Sequence, residues 1–199
     1  HYNSYFLLAA EASTPEAGTA EIGHGALAER ALIPVLPSVE EFPYAIRAVS
    51  EDLRVQRSTS MASTCASCMA LRLQVAIKKM VAGISCGLVT GETDDDYLVL
   101  TDIQGLEDFF GDMDFKVTGT KDGITAIQMD IKIHGLTRPI VEEAIRRARE
   151  ARFFIMDDAV QSDQRAETRG WPYAPKIIQI SIDPMKIGDV VGQRGKTIN

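Results

Sequence analysis

The 199-residue sequence has little cysteine, no long apolar run and no excess of positive charge, and each shortage excludes something. Three cysteines (Cys65, Cys68 and Cys86) cannot close a disulfide framework, and a chain of this length can bury a core without one. The longest apolar stretches, such as residues 81–89, are far too short to cross a bilayer, so no membrane partner is expected. The first residues, His1-Tyr2-Asn3-Ser4-Tyr5, lack the basic and apolar regions of a signal peptide, which makes a cytoplasmic location, or an organelle matrix, the expectation. With 21 Lys and Arg against 28 Asp and Glu the net charge is −7, which at first argues against a nucleic-acid partner. That argument loses force when acids gather at a metal site and bases gather elsewhere, and both clusters occur below. No internal repeat stands out. The chain starts without methionine and stops at Lys196-Thr197-Ile198-Asn199, inside a helical pattern, and is read as part of something longer.

What is present is a mixture of helical and strand patterns. Residues 14–20 read as a loop, and 22–32 carry apolar residues at helical spacing until Pro34 and Pro37 end them. Residues 44–50 alternate like a half-buried strand. Residues 60–73, rich in Ala, Cys, Met and Leu, form a closely packed buried helix opened by a serine cap. Core elements are expected at 81–89 and 97–101, and strands at 115–118 and 125–133. The strongest helix runs over about 138–156, capped by Thr137, with Pro139 in its first turn and Glu142–Arg146 and Glu143–Arg147 as ion pairs four residues apart. Residues 157–173 lose the period and read as a linker, after which a strand at 176–182 opens a new unit. The boundaries are therefore 1–157 for a first domain, 158–174 for the linker and 175–199 for the start of a second. The class is α/β or α+β.

Three clusters carry chemistry. In Glu107-Asp108-Phe109-Phe110-Gly111-Asp112-Met113-Asp114-Phe115-Lys116, a helix broken by Gly111 and a strand starting near Met113 put Asp114 and Lys116 on one strand face. Asp108, from the last turn before the break, brings a second carboxylate beside the ammonium. Two carboxylates suit a hard divalent ion and lysine suits phosphate, a set fit for phosphoryl transfer. Ser58, Thr59 and Ser60 precede a helix, where hydroxyls and free N–H groups can cradle phosphate or simply cap the helix. His24, between Gly23 and Gly25, is a candidate for touching phosphate or ribose. Cys65-x-x-Cys68 has zinc or redox spacing but no second pair, and inside a small-residue helix its cysteines serve as compact hydrophobes.

Near the end, Ile187-Gly188-Asp189-Val190-Val191-Gly192-Gln193-Arg194-Gly195-Lys196 places a Gly-x-x-Gly loop after a short helix, with apolar flanks. This is the KH pattern for single-stranded RNA, in which Gly192 and Gly195 admit the RNA backbone while Gln193, Arg194 and Lys196 line the loop and its cations reach phosphates.

These pieces, in this order, resemble the polynucleotide phosphorylase (polyribonucleotide nucleotidyltransferase) family over most of the chain. Ile22-Gly23-His24-Gly25-Ala26-Leu27-Ala28-Glu29-Arg30 is similar to the family's segment after its phosphate-binding loop. Ser58-Thr59-Ser60-Met61-Ala62-Ser63 resembles its phosphate site, Gly111-Asp112-Met113-Asp114-Phe115-Lys116-Val117 its metal site, and residues 123–132 the strand that follows. The resemblance implies an RNase PH-like (ribosomal protein S5 domain 2-like) core, here the second of two such halves, followed by KH and S1 modules. It implies a homotrimer that degrades RNA from the 3′ end by phosphorolysis, with magnesium (manganese as the alternative ion), inorganic phosphate as co-substrate, and partners in RNA-degradation complexes. It also implies that Asp108 and Asp114 hold the metal, that Asp114 and Lys116, with His24, serve the reaction, and that Ser58, Thr59 and Ser60 bind phosphate. The chain departs from the family where two adjacent arginines are usual: Thr19 and Ala20 stand there, and Val55-Gln56-Arg57 replaces an Asn-Gly approach to the serines. A catalytically weakened RNA-binding or scaffolding subunit of the same family is the second expectation.

Overall fold

Alternation along one strand organises the molecule. Met113, Phe115 and Val117 alternate with Asp114, Lys116 and Thr118, and all six are buried, so this strand must be covered on both faces. The computed structural model describes residues 7–10, 19–50, 59–93, 95–162, 177–178 and 180–198. In chain order these form β1 (Leu7–Ala10), α1 (Thr19–Leu32), a 3-10 turn (Ile33–Val35), β2 (Arg47–Ser50), α2 (Thr59–Gln74), β3 (Ala82–Thr90), β4 (Tyr97–Thr101), α3 (Gly105–Phe110), β5 (Met113–Gly119), β6 (Ile124–Ile131) and α4 (Arg138–Ser162). A short helix α5 (Ile187–Val191), flanked by 3-10 turns at Pro184–Lys186 and Gln193–Gly195, closes the described chain. β1 and β2 pair in parallel, while the main sheet is antiparallel in the order β4-β3-β5-β6.

One face of that sheet packs on α4. Ile84, Cys86 and Leu88 of β3, Val99 of β4 and Met113, Phe115 and Val117 of β5 meet Ile140, Ala144 and Ala148, whose helical spacing makes one apolar stripe. Burying each large side chain here is worth about 1.5–3 kcal/mol. On the other face, α1 packs against α2 and β6, and α2 against β3. Ala31, Leu32, Val35, Cys68, Leu71, Val75 and Val81 form the second core, with Ala126 of β6 against it. Gly83 lies under Met61 of α2 and beside Thr118, so these helices cover the Gly83–Thr118 end of the sheet.

Several expectations need correction. The strong helix does not stop near Met156 but continues to Ser162, through residues assigned to the linker. Asp157, Asp158 and Gln161 read as polar loop, yet they occupy the outer side of a helix whose Met156 and Ala159 still point into the protein. Glu142 pairs with Arg138 one turn earlier, at 2.7 Å, and not with Arg146; Arg146 spans Glu143 and Glu150 instead. The Glu143–Arg147 pair forms as expected. The strand expected at 44–50 is confined to Arg47–Ser50. Of residues 176–182, those described carry no strand.

Candidate active site

The site is assembled where α3 turns into β5. Gln104 and Glu107 form a capping box that starts α3, and Gly111 ends it, its N–H donating to the Glu107 carbonyl at 2.9 Å. A side chain at Gly111 would collide with that carbonyl and with Leu88, so the chain passes close only because glycine stands there. Asp112 then pins the turn: its Oδ2 accepts from the N–H and hydroxyl of Thr90 at 2.7 and 2.8 Å. That leaves Asp112 as a structural carboxylate, and the next residue of the same type, Asp114, sits on the opposite side of the question.

Asp114 and Lys116 share the β5 face turned away from α4, and Lys116 Nζ lies 2.9 Å from Asp114 Oδ2. Both residues are more than nine-tenths buried, and the other carboxylate oxygen, Asp114 Oδ1, is buried without a hydrogen-bond partner among the described residues. An orphan anionic oxygen of this kind is costly unless something positive or hydrogen-donating meets it. Burial pushes the Asp114 carboxyl above the usual range; the hydrogen bond and charge of Lys116 pull it down, the charge of Asp108 pushes it up again, and Lys132 pulls it down. Asp108, exposed on the last turn of α3, is therefore near enough for its charge to be felt. Lys132, at the end of β6, donates its ammonium to the Asp108 carbonyl and so ties α3 over the site.

These donors fit a magnesium-like ion. Hard divalent cations take carboxylate oxygens, often only one or two, and fill the remaining positions with water or phosphate. Among the described residues no group of three His, Cys, Asp or Glu side chains converges.

Asp114 and Lys116 form an ion pair, and the charge of Asp108 reaches Asp114. His24 is half-buried inside α1 rather than in an open glycine turn, and it has a partner. Thr59 opens α2 half-buried, Ser60 is buried, and Ser58 lies outside the described residues. Cys68 Sγ accepts from Val81 N–H at 3.1 Å and Cys65 Sγ accepts from Gly83 N–H at 3.4 Å. Burial pushes all three thiols up, Cys86 to about 11, so they pack as apolar groups. The Gly192–Lys196 loop follows α5; Gly192 and Gly195 have φ of 71° and 77°, and Arg194 itself has φ 54°. The sequence pointed to none of Ser85, Gln128, Asp130 and Lys132. Ser85 pairs with Lys116 across β3 and β5 and has a buried hydroxyl without a partner among the described residues. Gln128 and Asp130 pair with Lys116 and Asp114 across β5 and β6. Only strand register reveals those neighbours.

Residues 79–151, which include Asp108, Asp114 and Lys116, match the family described as 3′ exoribonuclease family, domain 2. The chain is 74% identical over 185 residues to the polyribonucleotide nucleotidyltransferase of Lachnoclostridium phytofermentans, covering 92% of this chain and 26% of that protein. Over most of its length the chain is similar to polyribonucleotide nucleotidyltransferases. It is likewise 59% identical over 183 residues to the protein of that name from Caldicellulosiruptor saccharolyticus, covering 92% of this chain and 26% of that one. With the Staphylococcus epidermidis protein of the same name the identity is 54% over 201 residues, covering 100% of this chain and 28% of that one. The chain therefore spans about a quarter of the length of the curated relatives it matches. In fold it is similar to the crystal structure of rice (Oryza sativa) Rrp46, with a TM-score of 0.66 and 15% identity over 80% of this chain and 72% of that one. The RNase PH-like fold and the family resemblance expected from the motifs are both borne out by these matches. No described helix is long and apolar enough to cross a membrane.

Proposed function

We propose that this chain carries the second RNase PH-like half of a phosphorolytic 3′-to-5′ exoribonuclease, a homotrimer of the cytoplasm that releases nucleoside diphosphates from single-stranded RNA. The observation that carries the proposal is the buried Asp114–Lys116 pair with its orphan Oδ1, next to Asp108 and inside the segment that matches the exoribonuclease family. A structural ion pair has no use for an unpaired buried oxygen, whereas a site for a divalent ion does.

An oxygen of inorganic phosphate attacks the 5′-phosphorus of the terminal nucleotide. The bond from that phosphorus to the 3′-oxygen of the preceding nucleotide breaks, the 3′-oxygen takes up a proton, and the products are a nucleoside diphosphate and an RNA shorter by one. Because phosphate is itself the nucleophile, no side chain needs activation, and the protein contributes alignment and charge compensation. Asp108 and Asp114 would hold magnesium or manganese, which when bound offsets charge on the phosphoryl oxygens. Lys116 supplies a fixed cation at the same oxygens, and Lys132 holds the Asp108 turn in place. His24, from α1, is assigned to phosphate or ribose, and Ser58, Thr59 and Ser60 at the start of α2 to inorganic phosphate, where free N–H groups of a long helix favour an anion. The Gly192-Gln193-Arg194-Gly195 loop with Lys196 is assigned to RNA as the start of a KH module: a short helix, two glycines with positive φ and exposed cations support that role.

Asp114→Asn tests the assignment. The variant is expected to fold as the parent does, to bind manganese at least tenfold more weakly, and to lose phosphate-dependent nucleoside diphosphate release. Parental release by this variant rules out Asp114 as a metal-site residue.

A further inference from the structure

Strand β6 and the residue after it carry a second polar row, of which the chemistry above uses only Lys132. Gln128, Asp130 and Lys132 occupy alternate positions, on the face opposite to Ile127, Met129 and Ile131. Register places Gln128 beside Lys116 and Asp130 beside Asp114. β6 is the outermost strand of the sheet on this side, and both Gln128 and Asp130 are exposed. Lys132 is committed to the Asp108 carbonyl, but among the described residues neither the Gln128 nor the Asp130 side chain makes a hydrogen bond or ion pair. A carboxylate set directly across from another carboxylate weakens a sheet, so packing offers no reason for Asp130 to stand there.

We propose that Asp130 receives the 2′,3′-diol of the 3′-terminal ribonucleotide while Asp114 and Lys116 attend to the scissile phosphate of the same nucleotide. The inference rests on the phosphorolytic function proposed above. Neighbouring strands lie about 4.7–4.9 Å apart, so moving one side-chain row outward from β5 spans the step from a phosphate toward its own ribose. A carboxylate presents two acceptor oxygens and a cis-diol presents two hydroxyl donors, which makes a two-point match. Internal nucleotides have their 3′-oxygen esterified, so only a chain end offers the pair. The 2′-hydroxyl is also the group that separates RNA from DNA at a given position. One side chain thereby reads both the end of the chain and the sugar. The row is well placed for it: Lys116 and Lys132 flank the two carboxylates and offset their charge toward an RNA backbone.

The test compares an all-ribo oligonucleotide with one whose last residue alone is 2′-deoxy, using the full-length protein, its Asp130→Asn variant and its Asp130→Ala variant. The parent is expected to favour the ribo end by about tenfold or more in kcat/KM. Asp130→Ala is expected to abolish that preference by slowing the ribo end more than the deoxy end, which offers the carboxylate its 3′-hydroxyl alone. Calorimetric binding of ADP against 2′-deoxy-ADP reads the same contact without turnover, and the parental preference for ADP is expected to vanish in Asp130→Asn. A preference retained in the variants overturns the proposal. So does an equal loss on both substrates, which would make Asp130 a residue of the metal site or the fold. If the parent releases no nucleoside diphosphate from either oligonucleotide, the phosphorolytic function fails, and the ADP comparison still decides for or against the diol contact.

Discussion

The two faces of β5 are equally buried and made of opposite materials. Toward α4 the strand presents Met113, Phe115 and Val117, each no more than 1% exposed, against a stripe of Ile and Ala. Toward the other side it presents Asp114 and Lys116, which are 7% and 8% exposed and pay desolvation for being there. The first face shows what stability asks of a central strand. The second departs from that pattern at two adjacent positions, and it departs where α3 delivers a further carboxylate. Buried charge in the middle of a sheet, with one oxygen left over, is better explained by a ligand than by packing.

The largest expected difference between the faces is in stability. Phe115→Ala removes a large side chain from the α4 core and should cost about 3–5 kcal/mol, whereas Asp114→Asn keeps the shape and an acceptor for Lys116 but removes its counter-charge, and should cost about 1–3 kcal/mol. Urea unfolding of both variants measures this. If Asp114→Asn is as damaging as Phe115→Ala, the charged face is structural and the contrast collapses.

A smaller effect is expected from Lys116→Met. It leaves Asp114 as a buried carboxylate without a counter-charge, at a cost of about 1–3 kcal/mol near neutral pH. Burial already holds this carboxyl above its usual value, and losing the cation raises it further. An acid whose folded pKa lies above its unfolded one loses stability as pH rises between the two, so the deficit should shrink as pH is lowered into the carboxylate range. Combining Lys116→Met with Asp114→Asn should recover most of the loss. A deficit that is independent of pH would mean that Lys116 matters for its methylene packing and not for its charge.

How much of this was legible before the fold was known follows from the range of each interaction. Gly111 as helix breaker, Met113 as strand start and the shared face of Asp114 and Lys116 are consequences of local geometry, and the sequence alone predicts all three. The continuation of α4 to Ser162 was hidden because its last turns are polar outside, with only Met156 and Ala159 marking the inner side. Glu142 has arginines one turn before and one turn after it, and spacing cannot choose between them. Asp130, Gln128 and Ser85 were invisible for a different reason: they become neighbours of Asp114 and Lys116 only through strand register, across intervals that no motif records. Edge-strand polar residues otherwise look like any solvated face.

The smallest effect belongs to the outer side of α4, farthest from both buried faces. Glu143 is held by Arg146 and Arg147, whose hydrogen bonds bring its carboxyl down to about 2. A lowered folded pKa means that the contribution is present above the ordinary value of 4.5 and is lost as pH falls toward about 2. Exposed pairs are screened by salt and contribute little, so the slope of stability against pH in that window should be shallow and should flatten further in Glu143→Gln. Thermal unfolding of parent and variant between those two pH values, at low and high salt, measures it. A steep loss shared by both proteins would trace acid sensitivity to other carboxylates; a steep loss in the parent alone would show that this surface network holds α4 against the sheet more firmly than its exposure implies.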